Sequence, residues 1–306
     1  MRIRSCTFIY LSLLYTQLLS AQDSSNINNF TSAEGKKIIY KNDTLLFEKP
    51  NLLRNLGYVP TDLWQVFKYP FQGKNWIGLG VVAVGTIILI VKDQDIIDGV
   101  KKISYNIGLK PETEFHIIWK AGNTKILKSP KNINSALYQV GEGGTSMVVA
   151  GGIWIYGKIT KDRRAINTAY DLAETFVAMG VGSQVIKRST GRESPFMATR
   201  PGGRWNLFPS FGSYQNNTSA YDAFPSGHLA TMMATVTVLS FNYPEKKWIK
   251  PIGYSLIGLS AWAMMNTEVH WAGDYPLAIA MGYLSGKITA WRHRKNIRPK
   301  PKTLSW

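Results

Sequence analysis

Three short stretches of this sequence carry side chains able to move a phosphoryl group or a proton. His270 and Asp274 are four residues apart. On one helical turn that spacing lets the carboxylate accept the Nδ1 proton of the imidazole, leaving Nε2 as a lone-pair nucleophile. Pro225-Ser226-Gly227-His228 opens an apolar stretch and reads as a helix start. Ser226 is its N-cap, Gly227 lets the backbone close on an anion, and the unpaired N–H groups of the first turn favour a phosphate. A protonated His228 there can give its proton to a leaving alkoxide and then activate water. The third stretch runs Lys187-Arg188-Ser189-Thr190-Gly191-Arg192-Glu193-Ser194-Pro195, where Lys187 and Arg192 offer positive charge to phosphoryl oxygens. Each pattern has a bland explanation when taken alone: a polar helix-surface pair, an ordinary helix cap, a solvated basic loop. Their order and common side carry the weight.

In that order and at those distances the three stretches resemble the type-2 phosphatidic acid phosphatase superfamily, which carries K-x6-R-P, then P-S-G-H, then S-R-x5-H-x3-D. Its members include lipid phosphatases, bacterial acid phosphatases and vanadium haloperoxidases. The resemblance extends over roughly residues 145 to 290. It implies a phosphohistidine on His270 that water resolves, with His228 and Asp274 as the other catalytic residues. Lys187, Arg192, Ser226 and Gly227 would hold the phosphate, with no metal or other cofactor. Two family arginines are missing: Ser194 stands at the first position, ahead of Pro195, and Ala263-Met264 replace the Ser-Arg pair. A register on Arg200-Pro201 would put Glu193 in place of the lysine, so the register on Lys187 is kept. One preorganised donor to a developing anion is worth about 10²–10³ in rate, so the losses matter unless other cations compensate. Arg188, Arg200 and Arg204 lie in the same loop; they either serve the phosphate or face anionic lipid headgroups. A haloperoxidase, which needs a dense cationic cage, fits poorly.

The elements that must position these residues are apolar and recur along the chain: 76–91, 146–156, 169–186, 229–241, 252–265 and 275–291. Their glycines suit close helix packing in lipid. The resulting expectation is an all-α helical-bundle phosphatase core, polytopic in a membrane, with about five or six apolar helices. Its organisation reads as a signal peptide (1–21), a loose polar arm (22–75) ending in a surface-lying amphipathic piece, an apolar helix with a basic connecting region (76–144), the phosphatase-like core (145–291) and a basic tail (292–306). Basic clusters at 158–164, 245–250 and 291–302 flank apolar segments and belong in the cytoplasm by the positive-inside rule. The loops carrying Lys187, His228 and His270 then face outward. A cleaved signal leaves residue 22 outside as well, so the alternation requires that 76–91 lies on the surface or re-enters, or that the signal reading fails.

The chain has 306 residues, 36 Lys and Arg against 19 Asp and Glu, and a formal net charge of +17. Its lone Cys6 excludes a disulfide framework and a cysteine zinc site. Nucleic acid is the usual partner of so basic a chain, but here the charge flanks apolar segments and gathers beside Lys187. The expected partners are a lipid phosphate and the membrane, not nucleic acid. The leading expectation is a lipid phosphate or pyrophosphate phosphatase in a bacterial cytoplasmic membrane, its site facing the periplasm or exterior. A catalytically degenerate lipid-phosphate binder and a soluble periplasmic acid phosphatase are the alternatives.

Overall fold

The computed structural model describes residues 29–32, 35–40, 43–122 and 124–297. The elements run β1 (Asn29–Ser32), β2 (Gly35–Tyr40), β3 (Asp43–Phe47), α1 (Leu52–Leu56), α2 (Val59–Lys68), α3 (Trp76–Asn106), β4 (Phe115–Ala121), β5 (Thr124–Pro130) and α4 (Ile133–Gly141). Then follow α5 (Gly143–Ile159), α6 (Arg163–Thr190), α7 (Phe211–Asn216), α8 (Gly227–Asn242), α9 (Ile249–Asn266), α10 (Tyr275–His293) and β6 (Arg294–Ile297). All six apolar segments lie on helices, and the chain is mostly helical. The signal-peptide expectation over 1–21 falls outside the described residues.

Helix α8 is apolar on every face and is therefore buried on every face. Leu229, Met233, Val236 and Val238 sit in a central cluster with residues of α5, α6, α9 and α10. Glycines of α9 and α10 let these neighbours close on it. A Cβ on Gly282 of α10 would stand 2.2 Å from the Ala230 carbonyl oxygen, and one on Gly253 of α9 would stand 2.5 Å from Val236. By contrast Gly78, Gly80, Gly85, Gly151, Gly152 and Gly258 meet nothing within 4 Å, so close packing explains only part of the glycine content.

The bundle has two distinct ends. The start of α6 and the end of α8 meet where Arg164 pairs with Glu245 at 2.7 Å and donates to the Asn242 carbonyl at 2.6 Å. The basic clusters at 158–164 and 245–250, and the described residues 291–297 of the third, lie toward this end. Here the described residues of the supposed loose arm prove to be structured. Strands β1–β3 and β6 form an antiparallel sheet in the order β1-β2-β3-β6, with a small core of Ile38, Leu45 and Phe47. These apolar runs are too short to stand out in a polar stretch, yet they pair with one another. Glu48 accepts from Asn167 at 2.7 Å, Asp62 pairs with Arg292, and Tyr69 accepts from Lys287 at 2.9 Å, tying the arm to α6 and α10. Residues 294–297 of the basic tail likewise form strand β6, and the connecting region before α4 contains the β4–β5 hairpin.

Among the described residues, one helical stretch is long and apolar enough to cross a membrane: Gly73–Asn106, whose most apolar 18 residues have a mean hydropathy of 1.9. Its Val81, Val84, Ile87, Ile88 and Val91 are exposed. The other bundle helices, 16 to 28 residues long, do not meet that requirement one by one. Helix α3 outruns its apolar segment because Asp93, Ile97, Val100 and Ser104 recur at helical spacing as a buried stripe. Ser104 accepts from Trp262 Nε1 at 2.9 Å, and Lys101 pairs with Glu268 at 2.7 Å.

Candidate active site

The end of α6, the start of α8, the end of α9 and the start of α10 converge at the other end of the bundle. Lys187 lies in the last turn of α6, which Gly191 closes in the left-handed conformation. Any side chain there would collide with the Asn206 carbonyl oxygen, only 1.9 Å from an ideal Cβ. The chain after Gly191 bridges to Trp205 and Asp222 through Arg192. Ser226 caps α8, accepting from the Leu229 amide with its hydroxyl, while its own N–H donates to the Asp274 carbonyl at 3.1 Å. Gly227 and His228 follow as the first residues of the helix, where N–H groups have no intrahelical acceptor.

The two histidines and Asp274 form a continuous run. His228 Nδ1 lies 3.1 Å from His270 Nε2, and His270 Nδ1 lies 3.3 Å from Asp274 Oδ2. The same Asp274 oxygen accepts from the Trp271 amide at 2.8 Å, which fixes the carboxylate against the ring. With His270 Nδ1–H donating to Asp274, its Nε2 lone pair accepts from His228 Nδ1–H. The expected helical turn is absent between His270 and Asp274: His270 precedes a 3₁₀ turn over Ala272–Asp274 whose last residue is Asp274, and this turn brings the pair together. Tyr138 of α4 sets its ring 5.9 Å from that of His228.

Arg192 is placed differently from its expectation as a phosphate ligand. It is fully buried, with Nη1 2.6 Å from Asp274 Oδ1 and Nη2 2.5 Å from Asp93 Oδ2. Its guanidinium lies between the Trp205 and Trp271 rings, 4.8 and 5.4 Å from their centroids. Both ends thus meet carboxylates, so this arginine props Asp274. Lys187 Nζ donates to the Asp222 carbonyl at 2.6 Å and stands 3.5 Å from the Asp222 carboxylate, at a 4.0 Å approach to an ideal Cβ on Gly227.

The other loop arginines are spread apart. Arg188 covers the rings of Tyr214 and Phe211, 4.2 and 5.4 Å away, while Arg200 and Arg204 are exposed. Glu193 holds this loop closed, its carboxylate accepting from the Thr199 and Arg204 amides at 2.9 Å each. Ser194 is buried with its amide on the Ser219 carbonyl, and Met264 lies in the apolar core against Gly141. Sequence reasoning missed two charged groups. Lys128, on the β4–β5 hairpin, pairs with Glu142 at 2.6 Å and brings its charge to bear on His228 alongside Lys187. Asp93 arrives from α3. Neither belongs to a motif, and only the tertiary fold brings them here. Among the described residues, no group of three or more His, Cys, Asp or Glu side chains is arranged to hold a metal ion.

Comparison with known proteins gives two matches. Residues 168–298 match the model of the PAP2 superfamily, a span that contains Lys187, Arg192, His228, His270 and Asp274 but neither Asp93 nor Lys128. A lipid A 1-phosphatase of Porphyromonas gingivalis is 30% identical over 83 residues, or 27% of this chain and 19% of that protein. The chain therefore matches about a fifth of that relative's length. No solved structure matches. The part of this chain from residue 168 to residue 298 belongs to the PAP2 superfamily.

Proposed function

We propose that this protein hydrolyses a phosphate or pyrophosphate ester of a membrane lipid through His270. The observation that supports this most is the unbroken run His228–His270–Asp274, at 3.1 and 3.3 Å, beside Lys187 and the first turn of α8. Substrate entry displaces His228 from the Nε2 lone pair, and the phosphate's negative charge favours a protonated His228. Nε2 attacks phosphorus, the P–O bond to the lipid breaks, and His228 gives its proton to the departing oxygen. Asp274 stabilises the positive charge that forms on the ring. Water, losing a proton to His228, then attacks phosphorus; the P–N bond breaks and phosphate leaves. Lys187, the Gly227 and His228 amides and Lys128 carry the charge of the phosphoryl oxygens. Lys128 offsets part of what Ser194 and Met264 no longer supply.

The relative named lipid A 1-phosphatase makes a phosphate on a glycolipid the first candidate substrate, with phosphatidate and undecaprenyl pyrophosphate as comparisons. Purified wild-type protein should release phosphate from at least one of the three, and a His270→Ala protein from none. Release by His270→Ala at the wild-type rate would sink the mechanism. The buried Met264 at a family arginine position favours a second reading, a lipid-phosphate binder without turnover. Binding of the same lipids by wild-type protein that releases no phosphate would establish it.

Membrane placement follows from the same frame. Exposed apolar side chains on α3, α5 and α6, such as Ile87, Ile159 and Val185, suit lipid. Six crossings by α3, α5, α6, α8, α9 and α10 return the chain to its starting side, in keeping with the pairing of β3 with β6. The positive-inside rule puts that side in the cytoplasm and the histidines outside. Residues 29–75 are then cytoplasmic, against the expectation that a cleaved signal leaves residue 22 outside. Labelling of single cysteines at Asp43 and Ser213 by an impermeant reagent in intact cells decides. Labelling at 213 alone supports this orientation, and labelling at 43 alone reverses it.

A further inference from the structure

We propose that Asp93 is a positioning residue of this site, acting through Arg192 on Asp274 and so on His270. The proposal rests on the reading of His270 as the phosphoryl acceptor. Asp93 is fully buried on α3, a helix whose preceding turns expose valines and isoleucines. A buried carboxylate persists only where it is paired and hydrogen-bonded. Asp93 has both: Oδ2 meets Arg192 Nη2 at 2.5 Å, and Oδ1 accepts from the Gly273 amide at 2.8 Å. Gly273 belongs to the turn joining His270 to Asp274. A Cβ there would stand 2.7 Å from Ile90 and 2.8 Å from Asp93, so this turn is seated directly on α3.

The charge balance gives the seat a chemical consequence. Arg192 alone, at 2.6 Å from Asp274, would draw negative charge away from the oxygen that supports the imidazole. Asp93 neutralises Arg192, so Asp93, Arg192 and Asp274 together present one net negative charge to His270. The charged groups around this run are His228 from α8, Arg192 from the loop after α6 and Asp274 at the head of α10. Lys187 and Lys128 act on His228. Helix α3 thereby tunes the nucleophile from outside the segment that matches the family model.

Charge changes of opposite sign provide the test. The full-length protein is followed by histidine-selective ¹⁵N NMR; with only 4 histidines, the His270 signal is assignable by substitution. Asp93→Asn leaves the trio neutral and should move the His270 titration to lower pH by about 0.5–1 unit. Arg192→Gln leaves it doubly negative and should move the titration upward. The double variant restores one net negative charge and should return it near wild type. Asp93→Ser, which leaves room for water beside Arg192, serves if Asp93→Asn does not fold. In phosphate release, Asp93→Asn should lower kcat about tenfold, with KM within about twofold and the acid limb of the pH profile moved downward. A His270 titration unmoved in Asp93→Asn, or moved the same way in both single variants, overturns the proposal and leaves Asp93 with a purely structural role. Wild-type protein that releases no phosphate defeats the phosphatase reading, and the titration still judges Asp93.

Discussion

Replacing Arg192 by methionine separates a buried clamp from a phosphate ligand. The substitution keeps most of the apolar stem between Trp205 and Trp271 but removes the charge held by Asp93 and Asp274, both fully buried. Breaking a buried pair by deleting one partner costs about 3–5 kcal/mol, because an uncompensated charge is left behind. Here two carboxylates lose their partner, so the upper part of that range applies unless one takes up a proton. At about 2–4 °C per kcal/mol for a large domain, the melting temperature should fall by about 8–20 °C. Thermal melting of the purified protein in detergent, followed by tryptophan fluorescence, reads this directly. Melting within about 2 °C of wild type, together with a raised KM for the lipid phosphate, would refute the clamp and restore the ligand role.

Other substitutions test separate parts of the frame. Lys128→Met should lower kcat/KM about tenfold while leaving the melting temperature near wild type, since its partner Glu142 stays partly exposed; unchanged kinetics would remove Lys128 from the site. Gly191→Ala should destabilise by at least about 2 kcal/mol through its left-handed backbone and the Asn206 carbonyl, seen as a lower melting temperature; a neutral result would contradict the loop geometry. Burial, together with the hydrogen bond to Glu174, pushes the carboxyl of Asp62 up to about 7 from its ordinary 3.8. A raised carboxyl contributes stability in full below its ordinary value and loses it as pH rises through about 7. The melting temperature should therefore fall between pH 4 and pH 7, and by less in Asp62→Asn; an equal fall in both would show that Asp62 does not contribute.

The sequence revealed most about what local chemistry determines. His270 with Asp274, the Ser226 cap and Lys187 are local signals, and the fold brings their side chains to one end of the bundle. The six apolar segments were visible as runs of apolar residues between basic clusters, and all lie on helices. Other parts depend on contacts that no local pattern records. Arg192 looked like a phosphate ligand because its partner Asp93 lies 99 positions away on another helix. Lys128 sat in an undistinguished basic stretch, and only the hairpin that pairs it with Glu142 brings its charge to bear on His228. The arm before α2 seemed loose because Ile38 and Leu45 each belong to short runs that gain their burial only by pairing.

Phosphoryl transfer to His270 is most directly visible as the covalent intermediate itself. Wild-type protein mixed with a ³²P-labelled lipid phosphate, quenched within milliseconds in alkali and digested, should yield one labelled peptide carrying an acid-labile, alkali-stable phosphohistidine at His270. The His270→Ala protein should yield none. Phosphate release at a normal rate with no label on His270, or with label on another residue, would contradict the mechanism.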